Sequence, residues 1–142
     1  MFWGEDCILS VATEMDFMEA DLLIVPANPS KGHWFLVVAN LMQREITTYN
    51  SMTSKPKEPG ARLAKFLCAV GSDRALPQLQ GKWTQKFMNP PAIPAQADGC
   101  SCGLFTIAAA DCISKGRPPS GYDMSDIPAM RAGILEFIHF KR

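Results

Sequence analysis

Apolar residues in this chain gather in short, dense runs whose spacing changes from one run to the next, and those changes mark out strands and helices in turn. Residues 22–27, Leu-Leu-Ile-Val-Pro-Ala, predict a buried strand that ends at Pro26. A loop over Asn28–Gly32 follows, with the turn residues Pro29, Ser30 and Gly32. Trp34–Leu41 is apolar at almost every position, as a strand covered on both faces must be. Glu45–Asn50 alternates and carries β-branched Ile46, Thr47 and Thr48, which makes it the hairpin partner. With the turn centred between Leu41 and Met42, His33 stands opposite Asn50 on one face. Directly opposed side chains have Cβ atoms about 5 Å apart, near enough for an amide oxygen to accept the imidazole Nδ1 proton.

Beyond the hairpin the period lengthens. Ser51–Gly60 is polar, with Pro56, Pro59 and Gly60, and predicts a loop; Ala61–Val70 then shows helical spacing in Leu63, Phe66, Leu67 and Val70. Lys82–Met88 predicts a short strand. Asn89–Gln96 holds Pro90, Pro91 and Pro94, cannot sustain a ladder, and should be an extended connector. Gly103–Ile113 is mostly apolar around its circumference and predicts a buried helix, closed by Gly116 and Pro118. Ser125-Asp126 precedes Pro128 and a last helix through Ile134, Leu135 and Ile138. Segment 1–20 mixes apolar and acidic residues and its type is ambiguous. The whole chain, 1–142, is expected to form a single compact domain with 1–20 as a lead-in.

Composition narrows the function classes. A chain of 142 residues can bury about two-thirds of the surface its unfolded form exposes, enough for one modest core. Fourteen Lys+Arg balance fourteen Asp+Glu, so no global field draws a polyanion or an acidic membrane surface. No nucleic-acid or membrane partner is expected. The five cysteines, Cys7, Cys68, Cys100, Cys102 and Cys112, are odd in number and show no paired CxxC pattern. A disulfide framework does not fit them. Cys100-x-Cys102 with His33 lacks the second short-spaced pair of a structural zinc site, so no metal is expected. Without a basic leader and apolar stretch, the default setting is intracellular and reducing, in cytoplasm or nucleus.

Five residues are candidates for chemistry. A thiolate is a nucleophile, and it is favoured by the positive end of a helix and by a neighbouring imidazolium. Cys102 stands where a helix begins, and His33 can serve it only if the fold brings the two together. Acyl transfer also needs donors aimed at a developing oxyanion. The Cys102 N–H is one natural donor, and the side-chain NH₂ of Gln96, on its proline-rich connector, is a second. Each residue has a plainer role when taken alone. A Cys before an apolar helix is usually a small core residue, Trp34 is most simply core, and Asn50 beside Ser51 can be a turn amide.

Their order and spacing resemble the Ulp/sentrin-specific proteases of ubiquitin-like proteins, whose relatives include adenoviral-type proteases. Asp21-Leu-Leu-Ile-Val-Pro-Ala-Asn followed by His33-Trp34-Phe-Leu-Val-Val is similar to that family's strand, Pro, loop, His-Trp, strand block. Tyr49-Asn50-Ser51 falls where the family has Tyr-Asp-Ser. Gln96 through Cys102-Gly103 resembles its Gln, five residues, Cys-Gly, and the tail with Met124, Ile127, Arg131 and Ile134 its closing helix. The resemblance covers roughly residues 21–138. It implies a papain-like, adenain-like α+β fold: a central mixed or antiparallel sheet with the nucleophile at the N-terminus of a buried helix. It implies Cys102 as nucleophile, His33 as general base and then acid, Gln96 as oxyanion donor, and Trp34 as cover of a narrow channel admitting a Gly-Gly tail. The implied partner is a ubiquitin-like protein such as SUMO, or its conjugates, cleaved by a monomer that needs no cofactor.

The chain departs from the family at three places. Asn50 replaces the triad Asp; Cys-His-Asn works in papain-like proteases, but charge support for the imidazolium is lost. On that basis Asn50→Asp should raise the rate. Ser101 replaces the Asp before the nucleophile and is expected to cap the helix. The family's upstream Trp-Leu segment has no clear match in residues 1–20. The alternative reading is a pseudoprotease that binds a ubiquitin-like tail or another partner without cutting it.

Overall fold

The computed structural model describes residue 16, residues 19–29 and residues 31–140, so the lead-in, Cys7 and any upstream recognition segment lie outside the described residues. A four-stranded mixed sheet, in the order β1-β2-β3-β4, forms the centre. Its strands are β1 (Leu22–Ala27), β2 (Phe35–Asn40), β3 (Glu45–Tyr49) and β4 (Thr84–Met88). β1–β2 and β2–β3 are antiparallel, whereas β4 joins β3 in parallel. Helices α1 (Glu58–Asp73), α2 (Cys102–Ser114) and α3 (Ile127–Phe140) complete the chain.

The continuous apolar run of β2 is explained by its two covered faces. Val37 and Ala39 join Ile46, Leu63, Leu67 and Val70 in a core between the sheet and α1. Leu36 and Val38 point the other way and pack with Ala109 of α2. Leu36, Leu67 and Val70 are wholly buried, each contributing about 2 kcal/mol of apolar transfer.

α1 starts three residues before the expected Ala61. Pro59 fits a first turn because its fixed φ is already helical and its missing N–H has no partner to lose there. Gly60 follows because the helix comes down on β3: a Cβ at this position would lie 3.0 Å from Gln85 Oε1 and 3.3 Å from Thr48 Oγ1. α2 is not buried all round as its composition suggests. Phe105, Thr106 and Ala109 face inward while Ile107 is half exposed, so its outer face is small and apolar rather than covered. The chain then turns at Gly116, at φ +67°, and returns to set Tyr122 edge-on against Phe105.

The hairpin register differs from the expected one by two residues: Leu36 faces Tyr49 and Val37 faces Thr48. The connection is four residues, Leu41 to Arg44, and Arg44 takes the left-handed conformation at φ 51° without glycine. The Arg44 guanidinium offsets that strain by donating to the carbonyls of Gln78 and Pro77.

Candidate active site

Four segments supply the site, and the core fixes each of them. The chain just before β2 carries His33 and Trp34, and the end of β3 carries Asn50 and Ser51. The connector after β4 carries Gln96, and Cys102 is the first residue of α2. Backbone bonds lash the middle two together: Asn50 N–H donates to Met88 O, and Gln96 N–H donates to Ser51 O.

His33 Nε2 lies 2.7 Å from Asn50 Oδ1. The two residues meet as expected, although through Nε2 rather than Nδ1. Because the register is shifted, Asn50 is a diagonal neighbour of His33, a separation that long side chains still bridge. The imidazole also stands edge-on to Phe35 at 4.7 Å between ring centres, which holds the ring from the core side. Asn50 itself is only 2% exposed.

The other end of the pair meets α2 through Trp34. Its indole lies across Gly103, where a Cβ would sit 3.6 Å from Trp34 Cδ1. That contact brings the His33-Trp34 segment to the N-terminal turn that opens with Cys102. Trp34 is 41% exposed and so is a surface cover rather than a core residue. Cys102 is recessed, at 6% exposure. As the first residue of α2 it stands among backbone N–H groups that lack helical partners and favour negative charge.

Gln96 is oriented at both ends of its amide. Ser51 Oγ donates to Gln96 Oε1, and Gln96 Nε2 donates to Asp98 O at 2.7 Å. One Nε2 proton is thereby used and the second is left for another acceptor.

Asp98 is the residue of this region that spacing and resemblance did not reveal. Its Oδ1 accepts from Ser101 N–H at 2.9 Å and Cys100 N–H at 3.2 Å, and its Oδ2 accepts from Ser101 Oγ–H at 2.6 Å. The Ser101 hydroxyl and amide hold the Asp98 carboxyl below the usual 3.8. Ser101 therefore does not cap α2 with its side chain; its hydroxyl points back to Asp98, and its carbonyl accepts from Leu104 and Phe105. Asp98-Gly99 carried a signal, since Asp commonly takes the N–H groups two and three residues ahead in a turn. Exposed Cys100 is held off to one side, its thiol 3.7 Å from Asp98 Oδ2. Cys68 and Cys112 are half-buried free thiols rather than full core residues.

Known proteins share the family signature and the fold. The sequence matches the Peptidase C48 family, described as the Ulp1 protease family, C-terminal catalytic domain, over residues 7–137. The match begins upstream of the stretch that carries the motif resemblance. Human sentrin-specific protease 2 is 29% identical over 131 residues, covering 88% of this chain and 21% of that protein. The chain thus spans about one-fifth of the length of that curated relative. Among solved structures, the Chaetomium thermophilum Ulp1-like SUMO protease catalytic domain is 27% identical, with a TM-score of 0.65 over 81% of this chain and 44% of that one. The yeast Ulp1 protease domain in complex with Smt3 superimposes with a TM-score of 0.71 at 18% identity, covering 90% of this chain and 57% of that one, a likeness of fold. On the family match and the fold together, this chain belongs to the Ulp1 protease family.

Proposed function

We propose that this chain is a cysteine protease and isopeptidase that hydrolyses the bond after the C-terminal Gly-Gly tail of a ubiquitin-like protein such as SUMO, with Cys102, His33 and Asn50 as its triad. The observation that carries this reading is the contact of Trp34 with Gly103, which sets the His33–Asn50 pair beside the helix that Cys102 opens. The kinship with sentrin-specific proteases supports the substrate class.

Each residue has a defined task. With its Nε2 proton given to Asn50, His33 presents Nδ1 as the basic nitrogen that takes the Cys102 thiol proton. The sulfur attacks the carbonyl of the terminal glycine, and the oxyanion is met by the Cys102 N–H and the second Nε2 proton of Gln96. His33 then protonates the leaving amine, the Cys102 thioester is left behind, and His33 draws a proton from water to release the tail. A recessed thiol beside a glycine that a tryptophan indole crosses suits a tail without side chains. Asn50 does for the imidazole what a triad Asp does by way of orientation.

Hydrolysis of a SUMO C-terminal fluorogenic amide tests the reading. The whole chain should cleave it, Cys102→Ser should not, and Gln96→Ala should lose about 10²–10³-fold in kcat. Absence of cleavage across a panel of ubiquitin-like tails, or activity that survives Cys102→Ser, contradicts it. The pseudoprotease alternative is not favoured, because nucleophile, imidazole and oxyanion amide are all retained.

A further inference from the structure

The Asn50 side chain makes four hydrogen bonds, and two of them are to backbone groups that can act in only one sense. Met52 N–H, a pure donor, lies 3.0 Å from Oδ1. The Ser54 carbonyl, a pure acceptor, lies 2.8 Å from Nδ2, and Ser54 Oγ also accepts from Nδ2 at 2.8 Å. Both backbone groups select the same orientation of the side chain, with its oxygen toward His33 and its NH₂ toward Ser54.

From this we infer that Ser54 is a positioning residue and that the cradle it forms around position 50 is built for an amide, so that Asn is the working residue here and Asp would be a poorer one. The chemistry follows from the donor and acceptor inventory. An aspartate at position 50 keeps the bonds from Met52 and His33 but turns its second oxygen toward the Ser54 carbonyl, about as far away as Nδ2 is now. A carboxylate oxygen on a buried side chain then faces the Ser54 carbonyl without a proton between them, which costs the bond and sets two acceptors against each other. The Ser54 hydroxyl can rotate to donate, but the carbonyl cannot. The same cradle dictates the tautomer of His33: an oxygen fixed opposite Nε2 requires the proton on Nε2 and leaves Nδ1 as the base. The expectation that Asn50→Asp speeds the enzyme is therefore reversed.

The catalytic half of this inference rests on the protease reading; the tautomer half does not, and the test separates them. Imidazole ¹⁵N spectra of the whole chain, with His139→Gln to remove the second histidine, should show the His33 proton on Nε2 near neutral pH. A proton on Nδ1 overturns the proposal even in a protein that cleaves everything offered. A proton on Nε2 supports it even in a protein that cleaves nothing, an outcome that would sink only the protease reading. Ser54 is exposed, so Ser54→Ala should fold normally. It should lower kcat about three- to tenfold at constant KM, the loss expected for one neutral hydrogen bond, and weaken the Nε2–H signal. Asn50→Asp should lower kcat by about tenfold, and Asn50→Gln, which keeps the amide but misplaces it, should not restore it. An Asn50→Asp enzyme as fast as the wild type or faster, with Ser54→Ala unchanged, overturns the amide-selective cradle.

Discussion

Ser51 Oγ donates to Gln96 Oε1 at 2.5 Å, and that bond decides which end of the Gln96 amide faces outward as a donor. Ser51 directly follows Asn50, so the residue bonded to the His33 imidazole and the residue bonded to the Gln96 amide are neighbours on one short stretch. The Gln96 N–H to Ser51 carbonyl bond doubles the tether. Ser51→Ala should therefore lower kcat about three- to tenfold while leaving KM nearly unchanged, as removal of one orienting hydrogen bond does. Steady-state hydrolysis of a SUMO C-terminal amide measures it, and a pure KM effect would show that Gln96 is held by something else.

Asp98 ties the loop before Cys102, and its contribution has a definite pH dependence. Its folded carboxyl titrates below the ordinary 3.8 because the Ser101 hydroxyl and amide donate to the charged form. A depressed acid stabilises the fold fully above its unfolded value and loses that contribution as the pH falls through the folded value. The stability difference between the wild type and Asp98→Asn should thus be constant from neutral pH down to about pH 5 and shrink in stronger acid. Thermal melts at a series of pH values follow it directly. Because Asp98 also takes the Gln96 amide proton on its carbonyl, the loop and the Gln96 side chain should loosen together in that acid range.

Much of this architecture was legible along the chain. The strand at Leu22–Ala27 falls on the expected residues, but as an edge strand it holds no buried residue and runs one past Pro26, whereas the unbroken apolar run of β2 is what two covered faces require. The hairpin register was not, because Arg44 adopts a left-handed turn that normally calls for Gly or Asn and so gives no signal. Parallel pairing of β3 with β4 depends on a crossover through α1 and has no local signature. In the site, His33 and Asn50 were visible from strand geometry, whereas Ser54 was not. Its part depends on a loop folding back over a buried amide, and polar loop residues look alike until that closure is known.

Trp34 and Gly103 should respond differently to substitution. Trp34→Ala removes an exposed cover and should leave the melting temperature nearly unchanged, while raising KM for a Gly-Gly tail about tenfold, as the loss of a large aromatic contact does. Gly103→Ala adds a Cβ at ordinary contact distance from the indole and should fold with equal or up to about 1 kcal/mol greater stability, since Ala is the better helix residue. A Trp34→Ala protein that unfolds would place the indole in the core after all.

The sheet itself is the rigid support. Leu67 of α1 is wholly buried against Val37, Ala39 and Ile46, so Leu67→Ala should cost about 2–5 kcal/mol in chemical denaturation, through lost transfer energy and the cavity left behind. A cost well below that range would mean that α1 is free to settle into the gap.

The most direct test of the account is to treat the whole chain with a SUMO probe bearing an electrophilic C-terminus and to map the adduct by peptide mass spectrometry. A single adduct on Cys102 is expected, absent in Cys102→Ser and retained in Cys100→Ser. An adduct on Cys100, or no adduct with any ubiquitin-like probe, would contradict it.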